Sequence, residues 1–159
     1  MSGQTLKDLM NHSFTHYPQR TAIRVLQPVG PGKTAELRYQ PLEYQELKAQ
    51  RDQLAAGLSQ LGLHKGQRLG ILTDGGVEPL LVFLAADLIG ACAVALCIKS
   101  PAEILSYNIN HSGMELLVVD SKGYEQLGPI RASLQRPPRI VLTENGREDA
   151  MAWAELMEM

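Results

Sequence analysis

The sequence predicts an α/β protein, a mostly parallel sheet with helices on both faces, preceded by an antiparallel β-hairpin near the N-terminus. Three observations carry this. From Arg68 onward the short apolar runs "RLGILT", "ACAVALC", "ELLVVD" and "RIVLTE" alternate with helical patterns, and that alternation builds parallel strands joined by crossover helices. The runs are continuously apolar, as strands buried on both faces require. Before Arg68, the extended stretches "TAIRVL" and "ELRYQ" flank the Pro- and Gly-rich "QPVGPGKTA", the pattern of a hairpin with a long loop.

The 159 residues suit one domain over 1–159, enough to bury roughly 70% of the surface an unfolded chain exposes. The composition, 45% apolar and 20% charged, is that of a globular chain. Fifteen Lys and Arg are scattered among 17 Asp and Glu, so there is no basic stripe for a nucleic acid or an anionic membrane. A small or neutral partner is expected, and with no leader at the start of the sequence the expected location is cytoplasmic.

The chain divides into a hairpin-and-helix part (1–66), a parallel α/β part (67–145) and a terminal helix (147–159). "TLKDLMNHSF" puts Leu6, Leu9, Met10 and Phe14 on one helical face, with Thr5 as N-cap and Pro18 beyond the end. His12 and His16 are four residues apart, but the spacing alone completes no metal site, and no metal is assigned. "YQELKAQRDQLAAGLSQLG" spaces Leu47, Leu54, Leu58 and Leu61 by seven, four and three, with Gly62 past the end.

"PLLVFLAADLIGACAVALCI", residues 79–98, holds one charge, Asp87. That approaches the roughly 20 residues of a membrane-spanning helix. Asp87 near its centre would cost about 2.5 to 3.5 kcal/mol, and Gly90 separates helix formers from a Val-centred run. The reading is a buried helix followed by a buried strand. Cys92 and Cys97 then lie roughly 16 Å apart on opposite strand faces, two buried thiols that neither bridge nor share a metal. "RPP" at 136–138 stops the last crossover helix, Gly146 closes the strand region, and "EDAMAWAELMEM" reads as the terminal helix.

"GPGKT" at 30–34 carries the letters of a phosphate loop. A Walker-type loop needs Gly five residues before Gly32, where Gln27 stands, and a helix after Thr34, where "AELRYQ" is extended. Lys33 is therefore read as a hairpin tip pointing into solvent. "GILTDGGV" has the glycine spacing with Gly70 and Gly75, but Gly76 and Val77 replace the Lys and the Ser or Thr, and the dinucleotide pattern is absent. It reads as a tight strand-to-helix turn. Thr73 and Asp74 are the candidate pocket residues, because ligands of open parallel sheets gather at the carboxyl ends of strands. No serine sits in a nucleophile elbow, His64 and His111 have no paired nucleophile, and no catalytic or cofactor-binding residue is assigned.

In order and spacing, "HYPQRTAI", "YQELKAQRDQLAAGLSQLGLHKGQRLGIL", "EPLLVFLAADLIGACAV" and "PAEILSYNINHSGMELLVVD" resemble the opening segments of the adenylate-forming (AMP-dependent) synthetases and ligases. The resemblance covers about residues 14–145, and its last stretch is most similar to acyl-CoA synthetases and fatty-acyl-AMP ligases. There are departures: Leu96 and Cys97 stand where the family has Pro and Asn-Pro, and Glu43 stands where it has a Thr or Ser N-cap. The loop holding "GPGKT" is similar in kind to inserts of the fatty-acyl-AMP ligases.

The resemblance implies a partial N-terminal domain of the adenylate-forming fold. In that family a carboxylate attacks ATP to give an acyl adenylate, and a thiol of coenzyme A or of a carrier protein then takes the acyl group. ATP and Mg are expected of a full-length parent. The Ser-, Thr- and Gly-rich loop ending in Lys, the adenine segment, the ribose Asp and the C-terminal lysine are not in this sequence. The chain is therefore expected to be inactive alone, with the rest of the ligase as its partner. It is also expected to expose Trp153, Leu156 and the sheet edge after "RIVLTE", and so to self-associate. The alternative is a free-standing α/β interaction or regulatory module that kept the ligase scaffold.

Overall fold

The computed structural model describes residues 5–29 and 36–159. Helix α1 (Leu6–His16) starts at Thr5, whose hydroxyl accepts the Asp8 amide while the Asp8 carboxylate accepts the Thr5 amide, a reciprocal cap. Of the four residues expected on its inner face only Phe14 is buried; Met10 is half-buried, and Leu6 and Leu9 remain 51% and 52% exposed. The helix lies on α2 through its C-terminal half. Arg51 of α2 is buried there, bonded to Asp52 and to Asn11, with its guanidinium 4.6 Å from the centre of the Phe14 ring.

Strands β1 (Thr21–Val29) and β2 (Glu36–Glu43) form the expected antiparallel hairpin, with Leu26 opposite Tyr39 and Arg24 opposite Pro41. The "GPGKT" stretch and the hairpin-tip reading of Lys33 lie outside the described residues. Helix α2 (Tyr44–Gln60) buries Leu47, Leu54 and Leu58, and Gly62 adopts a φ of +87° just past its end. In place of a Thr or Ser cap, the Glu43 amide donates to the Glu46 carboxylate at 2.8 Å.

The main sheet is parallel throughout, ordered β4-β3-β5-β6-β7: β3 (Arg68–Leu72), β4 (Cys92–Ala95), β5 (Leu116–Val119), β6 (Arg139–Leu142) and β7 (Ala150–Ala152). The crossovers are α3 (Glu78–Ile89), α4 (Ala102–Ser112) and α5 (Ser121–Leu127) with a following 3-10 turn, Gly128–Ser133. Successive strand residues serve opposite cores. Leu116 and Val118 pack with Leu47, Leu58, Leu81 and Leu156 on one face; Leu117 and Val119 pack with Leu105, Ile109 and Leu127 on the other. Two-sided burial is thus what makes the β5 sequence continuously apolar. Residues 79–98 become most of α3, Gly90 at φ +74° and β4, and Asp87 is half-buried. No helix among the described residues is long and apolar enough to cross a membrane.

Three expectations are corrected. Cys92 and Cys97 are exposed, not buried, because β4 is an edge strand and ends at Ala95. The terminal segment is not one helix over 147–159: Ala150–Ala152 join the sheet beside β6, and α6 is confined to Trp153–Glu158. Finally, Leu156 is fully buried and Trp153 half-buried against the first core, since α6 folds back over α2, while the edge of β6 is taken by β7, itself the last strand of the sheet.

Candidate functional site

The carboxyl ends of β3, β5 and β6 each terminate in polar residues, and the parallel sheet sets these three turns side by side. Apolar strand residues give way to Thr73 and Asp74 after β3, to Asp120 and Ser121 after β5, and to Thr143 and Glu144 after β6. Asp120 is the junction. One of its oxygens caps α5 by accepting the Gly123 amide at 2.7 Å, and the other accepts the Asp74 amide at 2.7 Å. Ser121 donates its hydroxyl to Glu144 at 3.0 Å, and the Thr143 amide donates to the Val119 carbonyl at 2.9 Å.

Asp74 and Lys122 form an ion pair across this rim. The hydrogen bond from Lys122, then its charge, holds the Asp74 carboxyl below the usual carboxylate range, and the same bond raises Lys122 above the ordinary lysine value. The pair is a ridge between two clefts. One, of about 480 Å³, is lined by Gly75, Gly76, Glu78, Asp120 and Glu144; the other, of about 530 Å³, by Ile98, Lys99, Glu125, Gln126 and Pro129. Asp74 and Lys122 border both. Thr73 is half-buried and lines neither.

The chemistry of the rim is structural. The Gly75–Gly76 turn into α3 has φ values of +146° and +97°, which only glycine adopts without strain. A phosphate would approach α3 at this point. The Glu78 carboxylate folds over Gly76 instead, so closely that a Cβ on Gly76 would collide with it. With Asp74, Asp120 and Glu144 around it and Lys122 already paired, the described residues do not fit a nucleotide triphosphate. No group of three or more His, Cys, Asp or Glu gathers into a metal site among them. A further cleft, about 750 Å³, lies at the other end of the sheet, where Arg139 donates to the Leu61 carbonyl and Arg147 stacks on Tyr124; among the described residues it contains no nucleophile and base in contact.

Sequence reading reached Asp74 but missed Asp120, Lys122 and Glu144. The available signal was the abrupt change from apolar to acidic in "LLVVD" and "IVLTE", which puts a carboxylate at the carboxyl end of a strand as in "GILTD".

The fold superposes on solved structures of ligases. A coronafacic acid ligase from Pectobacterium brasiliense superposes with a TM-score of 0.79 at 18% identity, over 98% of this chain and 30% of its own. A long-chain-fatty-acid–CoA ligase from Archaeoglobus fulgidus superposes at 0.76 and 22% identity, over 96% of this chain and 29% of its own. The fold is that of the first part of the adenylate-forming enzymes. Sequence relatives include an acyl-CoA ligase, sidI, from Aspergillus fumigatus, 31% identical over 107 residues, and a 3-hydroxybenzoate/4-hydroxybenzoate–CoA ligase from Thauera aromatica, 32% identical over 102. These alignments take in 67% and 64% of this chain but only 18% and 19% of the relatives. A family profile described as "AMP-binding enzyme" matches residues 11–157, and the chain belongs to that family.

Proposed function

We propose that this chain is the N-terminal part of an ATP-dependent ligase that activates a carboxylate, a fatty acid by preference, as an acyl adenylate and passes the acyl group to a thiol. The observation that carries this reading is the family match across 11–157, on a fold shared with acid–CoA ligases. Within the match, the rim at the strand ends holds its own carboxylates and no cradle for phosphates. In this reading the parent binds ATP and Mg and carries the catalytic lysine on segments outside these 159 residues, and this chain alone is inactive. Coenzyme A or a carrier protein is the acceptor; the relatives include both CoA ligases and gramicidin S synthase 2 of Brevibacillus brevis. The working compartment is the cytoplasm. The preference for a fatty acid draws support from "YNINHSGMELLVVD", which resembles the fatty-acyl branches.

Reading the gene past codon 159 tests this. A frame that continues into a Ser-, Thr- and Gly-rich loop with a trailing Lys supports it; a stop codon there contradicts it. One observation favours a second reading, a self-standing α/β interaction module: α6 covers the sheet with Leu156 fully buried, so this end of the fold is closed by its own residues. Under that reading self-association through Trp153 and Leu156 is not expected.

A further inference from the structure

We propose that the open edge of β4 is a self-pairing surface, on which a second copy of this chain adds its own β4 antiparallel across a twofold axis at Val94. The sheet has two edges, and they are treated differently. At β7 the chain closes its own edge: the Arg147 amide donates to the Ala150 carbonyl at 2.8 Å, and the Ala150 amide donates to the Arg147 carbonyl at 3.1 Å. Gly146 packs there so closely that a Cβ would collide with the Ala152 amide. Beyond β4 no strand is paired among the described residues. From Ala91 to Ile98 this edge carries no charge and no proline, the devices that keep exposed strands apart.

The backbone bonds to β3 fix which groups of β4 are free. The Cys92 amide donates to the Gln67 carbonyl and the Leu96 amide to the Ile71 carbonyl, both at 2.8 Å. Even-numbered residues thus turn their backbone groups toward β3, and the alternation of a strand turns those of Ala93 and Ala95 outward. The Cys92 thiol lies 4.0 Å from the Ala93 carbonyl, too weak a donor to hold it against an amide. On either side the ladder is closed: the Ala86 carbonyl holds the Ala91 amide at 2.8 Å, and the Ser100 amide holds the Cys97 carbonyl at 3.0 Å.

So short a ladder selects its partner. An antiparallel neighbour pairs outward residues with outward residues, and two copies of β4 satisfy every free group in one register, with Ala93 opposite the partner's Ala95 and Ala95 opposite the partner's Ala93. Val94 then meets its own twin at the non-hydrogen-bonded centre, where Cα atoms approach to about 4.5 Å. Cys92 faces the partner's Leu96. All the opposed side chains are small or apolar, so the twofold brings no like charges together. Cys92 and Ala95 are exposed and Val94 and Leu96 half-buried, so pairing also covers apolar surface. Antiparallel strands at the edge of a parallel sheet are common, and here the two sheets become one.

A chain carrying Cys92→Ser, Cys97→Ser and Val94→Cys tests the register. Mild oxidation should join it into a disulfide dimer, since the central pair falls within the roughly 4.4–6.8 Å Cα separation that a disulfide spans. Ala93→Cys in the same background lies a diagonal away from its twin and should cross-link at least about tenfold more slowly. For the unaltered chain, sedimentation velocity should show a mass that rises with concentration toward a dimer. Ala95→Pro should hold it at the monomer, because the lost N–H points away from β3, the place where an edge strand tolerates proline. A monomer at every concentration would leave this edge to another segment of the parent and overturn the proposal. So would equal cross-linking by the two cysteine variants, or unchanged association of a natively folded Ala95→Pro.

Discussion

The Asp120 carboxylate holds the Asp74 amide at 2.7 Å while capping α5 through its other oxygen. One side chain thereby joins the carboxyl ends of β3 and β5 and starts a helix. Replacing Asp120 with Ala removes both bonds and should cost about 1 to 3 kcal/mol, a cap plus a desolvated partner. Asn, an equally good N-cap, should recover roughly half. Urea unfolding of the two variants measures the difference, and equal losses would show that the cap is not the larger part.

Asp149 is held below the usual carboxylate range first by the hydrogen bond from Tyr124, at 2.5 Å, and then by the Arg131 guanidinium. A carboxylate whose folded value is depressed adds stability above its unfolded value, near 3.9, and loses it as pH falls through the folded value. Acidification below about pH 4 should therefore loosen the loop before β7. Tyr124→Phe should move the Asp149 titration upward, toward the ordinary value, in carboxyl carbon NMR; an unmoved titration would remove Tyr124 as the main cause.

The close approach of α6 to α2 rests on Gly57, where an added Cβ would collide with the Leu156 backbone carbonyl. Gly57→Ala should destabilise by about 1 to 3 kcal/mol, because backbone and not a flexible side chain must give way. Leu156→Ala, at a fully buried position, should cost about 2 to 5 kcal/mol. Denaturant midpoints of both variants check the pair, and a neutral Leu156→Ala would mean that α6 does not cover the sheet in solution.

Cys92 and Cys97 are both exposed, so both should react with an aromatic disulfide reagent in the folded protein, without denaturant. Two thiols titrated in buffer support β4 as an open edge. Titration only after unfolding would restore the buried-strand reading.

What the sequence made legible, and what it hid, follows from the range of each signal. The strands β3, β5 and β6 announce themselves because burial on two faces demands unbroken apolar runs. β4 has the same texture but lies at the edge, and strand order is a long-range property that no local period reports; hence the misplaced cysteines. β7 is three residues, "AMA", among good helix formers, and only its pairing with Ile140–Leu142 makes it a strand. α1 was read with four inward residues, yet only its C-terminal half has α2 beneath it. At the rim, Asp74 was reachable from the end of its own strand, whereas the partner of its amide lies 46 residues away, and nothing in the spacing links the two.

The chain has the fold of the AMP-binding enzyme family, and the proposal to be tested is that phosphate chemistry lies outside its described residues. ATP–pyrophosphate exchange with a panel of fatty acids, measured on this chain alone and on the protein extended through the following loop and C-terminal lysine, tests it most directly. Exchange is expected from the extended protein, unchanged by Lys33→Ala, and none above background from the chain alone. Exchange by the 159 residues on their own would contradict it.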